Sequence, residues 1–451
     1  MNCKKCNALL PEGATKCPEC GAEYGKKNPV TLLIIMVAVG FAVGVLVAVL
    51  IVSLLNAPGK PEPTMPSVVS PATTTPATTP ATTPLVVESD KAYTAADDVV
   101  IANADTVVAT GGEYELTVAQ LHVFYWNTVY EFLNQNAMYL SYFGFDYTKP
   151  FNEQVYDPAT GTTWEHYFLD AAIQTWHRYT ILCHMAKEAD FQLSTELQDY
   201  FASLPQEMQG WADEYGYETV DAMVAHDFGA STSYKNYADY LLQYYTSYEY
   251  FGTEFDAIEL TDADIEAYYT KYEETLKTQG YGKDAGNSVD VRHVLIQPEG
   301  GTKDANGVTT YSDAEWEAAR VKAQSLLDAW LEGEATEDAF AQMAKANSSD
   351  GNAADGGIYK GITAKTNFVP EFLNWCMDAS RKVGDSGLVK TTYGYHIMYF
   401  SATEPIWYAA CDENLRAETM NGRVDEVAKN FELEVMDEKI VLAFVDLAAT
   451  E

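Results

Sequence analysis

Two short stretches decide the fold of the C-terminal half of the chain. Residues 289–296 read VDVRHVLI and residues 391–401 read TTYGYHIMYFS. Both are rich in β-branched and aromatic residues, which favour strands. Each stretch carries one histidine, His293 in the first and His396 in the last. Side chains of neighbouring strands meet on a common sheet face, so a pairing of these two strands would let the histidines face each other.

The segment between these strands predicts helices and an acidic loop. Ser312 and Glu315 form a capping box, in which a serine and a glutamate three residues later satisfy the first N–H groups of a helix. A second helix is indicated around Phe340, followed by SSD at residues 348–350 and a glycine pair at 356–357. The order of strand, helix, helix, short helix and strand predicts a small α+β domain with an antiparallel sheet.

The motifs VRHVLIQ, SSD, GG, FVPEF and TTYGYHIMYF occur in this order across residues 289–402, and this region resembles the parvulin (PpiC-type rotamase) family. The resemblance implies a peptidyl-prolyl cis–trans isomerase that needs no cofactor for catalysis. It also implies the site. The family's catalytic positions fall on His293, Asp350, Thr391 and His396, and its substrate-binding positions fall on Phe368, Phe372 and Tyr393. Tyr393 stands where relatives often carry serine.

The regions that flank this domain predict a mainly helical, chaperone-like domain at residues 103–275 and a returning helix and strand at 403–451. Apolar residues recur at helical spacing after Thr117, and further helices are predicted near 165–188, 194–204, 218–227 and 232–256. The aromatic stripes of these helices are interpreted as core. The alternative is a groove that holds apolar segments of unfolded chains.

These flanks resemble the extracytoplasmic foldases, both the Gram-positive foldase lipoproteins and the periplasmic chaperone-isomerases. In those proteins a discontinuous helical domain surrounds a parvulin insert. The resemblance implies that the partners are unfolded or newly translocated polypeptides with X–Pro bonds.

The first 25 residues predict a zinc ribbon. Cys3, Cys6, Cys17 and Cys20 form two C-x-x-C pairs, and four thiolates can bind one Zn²⁺ tetrahedrally. So small a segment needs a metal to fold. Four cysteine ligands leave no open coordination position, so the predicted zinc is structural. Unmetallated or redox cysteines are the alternative.

Residues 30–55 predict a single transmembrane helix, because they carry no charge and span about 39 Å as a helix. A secretory signal peptide is the alternative, but its apolar core would be shorter. Lys26 and Lys27 precede the span, which predicts a cytoplasmic N-terminus, a lipid bilayer as partner, and residues 60–451 outside the cell membrane. A Pro/Thr-rich linker is predicted at 57–90.

The chain has 28 Lys and Arg against 66 Asp and Glu, a net charge of −38. So acidic a protein repels phosphate backbones, which excludes nucleic acid as a partner. Three hypotheses therefore stand. The first is an extracytoplasmic isomerase that assists the folding of secreted or cell-surface proteins. The second is an isomerase-inactive holdase that binds clients through its aromatic helices. The third is a sensor with a zinc ribbon inside and a ligand domain outside.

Overall fold

A computed structural model describes residues 91–137, 139–140, 142–303 and 309–447. These residues divide into two compact units. The helical unit comprises residues 91–258 and 419–447, and the sheet unit comprises residues 259–418. The fold is mainly helical, with an α+β unit and small antiparallel sheets. This agrees with the predicted fold class for the described part of the chain.

Among the residues that the structure describes, six α-helices lie wholly within the helical unit, and residues 419–428 add the end of a seventh to this unit. Its helices are α1 Asp97–Ala102, α2 Val118–Asn136, α3 Trp164–Glu188, α4 Thr195–Tyr215, α5 Val220–Phe228 and α6 Tyr234–Asp256. Its strands are β1 Thr94–Ala95, β2 Val107–Gly111, β3 Tyr114–Thr117, β4 Val155–Asp157 and β5 Thr162–Thr163, with β12 Leu433–Val435 and β13 Leu442–Ala443 from the C-terminus. Strands β12, β2 and β3 form a three-stranded antiparallel sheet.

Aromatic side chains fill the core of the helical unit, as the sequence predicts. Trp164 and Phe168 of α3 are buried and contact Phe132 of α2. Of the tyrosines near residue 245, Tyr245 and Tyr250 are buried. The aromatic stripe of α6 therefore contributes to the core of this unit.

Helix α4 corrects one prediction, because it runs to Tyr215 rather than ending at residue 204. Pro205 lies inside it, where proline removes one N–H and normally breaks a helix. Leu204, Met208 and Ala212 are buried at four-residue spacing on both sides of the proline. Their burial on one face offsets the lost hydrogen bond, so tertiary packing decides the helix end.

The sheet unit is built around a four-stranded antiparallel sheet. The strands of this unit are β6 Asn287–Ile296, β7 Thr302–Lys303, β8 Thr309–Thr310, β9 Ile358–Ile362, β10 Ser386–Lys390 and β11 Tyr395–Pro405, of which β7 and β8 form a separate pair. Its helices are α7 Asp262–Thr278, α8 Asp313–Glu332, α9 Glu337–Asn347, α10 Pro370–Cys376 and the first part of α11 Ile406–Ala428. The sheet order is β10, β11, β6, β9, so the two histidine strands lie at its centre.

Both faces of the central strands are buried toward the end of β6, where residues 293–296 are continuously buried, whereas burial still alternates over residues 289–292. On one face Val294 and Ile397 pack with Phe340 of α9 in one apolar cluster. On the other face Val291 and Met398 pack with residues of α10 in a second cluster. The histidine side chains lie on the α10 face, because His293 pairs with Met398.

Two strands of this sheet were not predicted, and one predicted boundary is wrong. The last strand begins at Tyr395, not at Thr391, because the N–H of Thr391 donates to the carbonyl of Gly394 and closes a turn. Strands β9 and β10 are only five residues long, with glycines within them. Glycine is depleted in strands, which masks both in the sequence.

Several predictions fall on residues outside the described ones: the zinc ribbon at 1–25, the transmembrane helix at 30–55 and the linker at 57–90. Within residues 91–447, apart from the gaps given above, no helix combines the length and apolar character needed to cross a bilayer.

Gly357 allows the SSD loop, residues 348–357, to approach strand β6, which carries His293. Its φ is +69°, and a Cβ built there would lie 2.1 Å from the carbonyl oxygen of His293. The Gly357 carbonyl accepts a hydrogen bond of 2.8 Å from the His293 N–H. Only glycine combines this left-handed conformation with so close a backbone contact.

We predict that Gly357→Ala destabilises the sheet unit by about 3 kcal/mol, because backbone strain and a collision with main chain add together. The matched control is Gly384→Ala, where φ is +95° but no heavy atom lies within 4 Å of the added carbon. The control should cost only about 1–2 kcal/mol. Urea denaturation of the full chain in detergent micelles measures both changes, and equal losses would show that the contact with His293 is unimportant.

Candidate active site

Two histidines meet at the centre of the sheet, as predicted. In the β6–β11 register His396 pairs with Leu295 and His293 pairs with Met398, so the two histidines are diagonal neighbours on one face. Their Nδ1 atoms lie 3.0 Å apart, and their rings are nearly parallel. Both residues are buried, with 1% and 5% of their surface exposed.

Thr391 extends the hydrogen-bond network of this pair. Its hydroxyl oxygen lies 2.8 Å from Nε2 of His396 and also accepts the N–H of Tyr393. At the other end of the network the Asp350 carboxylate can only accept, so the proton of His293 faces it on Nε2. The Thr391 hydroxyl then donates to His396 Nε2, which places the proton of neutral His396 on Nδ1. His396 Nδ1–H then donates to His293 Nδ1. We assign these tautomers from the partners, because a neutral imidazole has one donor and one acceptor nitrogen.

The same chain of bonds leaves the proton of His293 on Nε2, which lies 3.6 Å from Oδ1 of Asp350. That distance is too long for a full hydrogen bond but suits electrostatic attraction. No other hydrogen-bonding partner of this buried Nε2 occurs among the described residues. The carboxylate therefore sits at one end of the network and the Thr391 hydroxyl at the other.

The SSD loop places Asp350 by bonding to strand β6. The Ser348 hydroxyl accepts the N–H of Leu295 at 3.0 Å and the N–H of Asp350 at 3.2 Å. The Ser349 N–H donates to the Leu295 carbonyl at 2.9 Å. These bonds fasten the loop two residues beyond His293, so the family-like SSD motif has a direct structural reason.

The two ends of the network carry different charge at neutral pH. Contact with the His293 ring, aided by the Asn352 N–H and the Tyr359 hydroxyl, lowers the pKa of Asp350 to about 2 despite its partial burial. Burial, with the nearby His293, lowers the pKa of His396 to about 4. Asp350 is therefore anionic and His396 neutral across the physiological range.

An aromatic wall adjoins the histidines. Phe372 is buried at 3% exposure and contacts both histidine rings edge-on, each at 5.2 Å. Phe368 is half-buried and lies 5.0 Å from Phe372. Phe372 thus forms the floor of the predicted proline pocket, and Phe368 offers the accessible surface.

Tyr393 lies apart from this cluster. Its side chain is 59% exposed, and its ring contacts none of the site aromatics among the described residues. Its backbone N–H is the part that reaches the network, through Thr391. The structure therefore brings together six of the seven predicted site residues by their side chains.

Tyr359 was missed by the sequence reasoning, although it contacts more of the site than Tyr393 does. Its ring stacks on His293 at 5.2 Å and meets Phe368 at 5.0 Å. Its hydroxyl donates to Asp350 Oδ1 at 3.0 Å. No local pattern marked it, because it lies two residues after the glycine pair at the start of β9, a strand that was not predicted.

The predicted metal ligands Cys3, Cys6, Cys17 and Cys20 lie outside the described residues. Within the described ranges, no three His, Cys, Asp or Glu side chains converge as metal ligands would. What the arrangement offers chemically is an anionic carboxylate, two oriented imidazoles and an apolar wall. This set suits a reaction in which a bond rotates.

A family model matches the part of the chain that carries this site. Residues 275–403 match the family model of the PPIC-type PPIASE domain, the rotamases. Among solved structures, PrsA from Bacillus subtilis is 19% identical, with a TM-score of 0.30 over 61% of this chain and 89% of that chain. The foldase protein PrsA from Streptococcus pneumoniae is 13% identical, with a TM-score of 0.25 over 60% and 88%.

The peptidyl-prolyl isomerase ESS1 from Candida albicans is 21% identical, with a TM-score of 0.21 over 30% of this chain and 74% of that chain. No curated protein sequence matches the chain. The family match covers the two strands that carry the histidines, the loop that carries Asp350 and the turn that carries Thr391. Residues 275–403 are therefore a parvulin-type peptidyl-prolyl cis–trans isomerase domain.

Proposed function

We propose that this protein is an extracytoplasmic foldase that catalyses cis–trans isomerisation of X–Pro bonds in secreted or cell-surface polypeptides. The observation that carries the proposal is the Thr391–His396–His293–Asp350 network beside Phe368 and Phe372. Its clients are unfolded or newly translocated chains, because the X–Pro bond must be accessible to enter the site.

The site must lower the barrier to rotation about one amide bond. Rotation about an amide bond costs about 18–20 kcal/mol because resonance is lost, and uncatalysed it takes tens to hundreds of seconds before proline. No bond breaks, so no nucleophile is needed. The site must bind the twisted amide more tightly than either planar form. Phe368 and Phe372 hold the proline ring and remove water from the amide.

The anionic Asp350 favours rotation through charge. A planar amide carries partial negative charge on its oxygen, and that charge diminishes when the amide twists. A carboxylate near the carbonyl oxygen therefore raises the energy of the planar forms relative to the twisted one. His293 lies beside this carboxylate, and both histidine rings pack against Phe372, so the groups around the amide are arranged before the bond rotates.

The membrane location rests on residues 1–60. An uncharged apolar run of 26 residues follows Lys26 and Lys27, so we place the N-terminus in the cytoplasm and residues 60–451 outside, on a Pro/Thr-rich tether at 57–90. A net charge of −38 favours solubility at such a surface. We further infer a structural Zn²⁺ on Cys3, Cys6, Cys17 and Cys20, which suits a reducing compartment.

A holdase is the second candidate, and a feature of the helical unit favours it. An open depression of about 670 Å³ is lined mostly by apolar side chains, Met185, Tyr250, Val427 and Phe431 among them, with Glu113, His184 and Glu188 beside them. Apolar walls of this kind suit side chains of unfolded polypeptides. The two candidates differ in one respect: a holdase suppresses aggregation without the isomerase histidines.

We predict that the double variant His293→Ala, His396→Ala loses about tenfold or more in isomerase kcat/KM, because the oriented network is removed. NMR exchange spectroscopy on a short peptide with one X–Pro bond measures the rate without a coupling protease. Circular dichroism of the variant checks that the sheet unit is folded.

The matched control for this experiment is His177→Ala, which removes a half-buried histidine that bonds the Phe431 carbonyl in the helical unit. It should keep the parent isomerase rate. An inactive parent protein whose aggregation suppression survives in the double variant would replace the isomerase proposal with the holdase.

The pH profile of activity should report His396. Its pKa of about 4 lies below the ordinary 6.5, and that of Asp350 lies at about 2, so activity should stay level from pH 7.5 to 5.5 and halve near pH 4. A protonated His396 no longer accepts the Thr391 hydrogen bond. A midpoint of the fitted His396 titration near pH 6.5 would contradict its burial in the neutral form.

The free energy of unfolding of the sheet unit should also depend on the protonation of His396. The folded-state pKa of His396 lies below its unfolded value, so the unfolded chain binds more protons between about pH 6.5 and 4. The free energy of unfolding of the sheet unit therefore falls as pH drops through this range. Melting curves measured beside the activity separate loss of the site's chemistry from loss of the fold.

For the membrane proposal we predict that protease added to intact spheroplasts digests residues 60–451 but spares an N-terminal tag. The chain should also resist extraction by alkaline carbonate, as an integral protein does. Release of the whole chain into the soluble fraction would contradict the anchor.

A further inference from the structure

Strand β9 brings a tyrosine to the face of the sheet that holds the histidines. In the β6–β9 register Tyr359 pairs with Val291, and His293 follows two residues later on the same face. Paired and diagonal neighbours of a sheet are in side-chain contact. Tyr359 is thus fixed beside His293 by backbone pairing and not by a loop.

The ring and the hydroxyl of Tyr359 contact two different members of the site. The ring stacks on the His293 imidazole, with centroids 5.2 Å apart and planes 26° from parallel. The hydroxyl donates to Oδ1 of Asp350 at 3.0 Å, the same oxygen that lies 3.6 Å from His293 Nε2. One side chain therefore determines how the carboxylate and the imidazole face each other.

This bond matters because little else holds the Asp350 carboxylate. Asp350 lies on the loop between α9 and β9, and its side chain is 21% exposed. Among the described residues, the other hydrogen bond to the carboxylate comes from the Asn352 N–H at 3.2 Å, within the same loop. Tyr359 supplies the bond that ties it to the sheet.

We propose that Tyr359 is a positioning residue of the isomerase, whose hydroxyl holds the Asp350 carboxylate against His293 while its ring walls the proline pocket. The inference rests on the proposed isomerase function. Burial, with the negative charge of Asp350, raises the pKa of the Tyr359 hydroxyl, so it remains a donor throughout the physiological range.

The test separates the hydroxyl from the ring. Tyr359→Phe keeps the wall and should lower kcat about tenfold with KM unchanged, as expected for loss of one hydrogen bond to a charged group. Tyr359→Leu loses the stacking surface as well and should also raise KM. Lineshape analysis of NMR exchange spectra of the full chain in detergent micelles gives kcat and KM separately.

A matched control and a double-variant cycle complete the experiment. Tyr399→Phe removes a tyrosine hydroxyl from the opposite sheet face, where the ring packs against Trp330 and Phe340, and should leave kcat unchanged. In an Asp350→Ala background, Tyr359→Phe should cost less than about twofold further, because the hydroxyl acts through that carboxylate.

Each outcome has one meaning. An active parent with an unchanged Tyr359→Phe variant, or losses that multiply independently in the cycle, would overturn the positioning role and leave Tyr359 as a wall. An inactive parent would instead overturn the proposed isomerase function. Melting temperatures of all variants exclude unfolding as the source of a loss.

Discussion

The pairing of β6 with β11 is the constraint on which the sheet unit depends. Its register sets His293 opposite Met398 and His396 opposite Leu295, so the histidines become diagonal neighbours. The side-chain period of a strand is two, and a slip of one residue would turn every one of these side chains to the other face. The same register sorts Val294 and Ile397 into the opposite cluster. One set of backbone bonds thus builds the core and the site together.

Burial explains why the network has a fixed polarity. An imidazole removed from water is favoured in its neutral form, and a neutral imidazole must donate at one nitrogen and accept at the other. The Asp350 carboxylate, which can only accept, favours the proton of His293 on Nε2. The choice passes through the Nδ1 contact to His396 and the Thr391 hydroxyl. Asp350 keeps its charge because donors surround it at the edge of the site. Geometry, and not a reactive group, is what the fold supplies.

Much of this site was predictable, and the reasons are physical. The histidine strands have strong β-forming composition, and Thr391 follows from the family motif that surrounds His396. The core role of the helical aromatics also follows from their spacing. Tyr359 was not predictable, because β9 is short, contains Gly361 and alternates weakly. Its role depends on register with β6, which is a long-range property that no local pattern encodes. Helix α4 shows the same limit, since burial beyond Pro205 overrides a local helix breaker.

The SSD loop, residues 348–357, is held by hydrogen bonds to a strand that is distant in sequence. Ser348 and Ser349 bond to Leu295, while Gly357 closes against the His293 backbone at the other end of the loop. Hydrogen bonds therefore tie the loop to β6 on both sides of Asp350. They reach Leu295 before Asp350 and the His293 backbone after it. Neither fastening fixes the rotation of the carboxylate itself. A side chain from the neighbouring strand is the element that can do so without depending on the loop, and Tyr359 occupies that position.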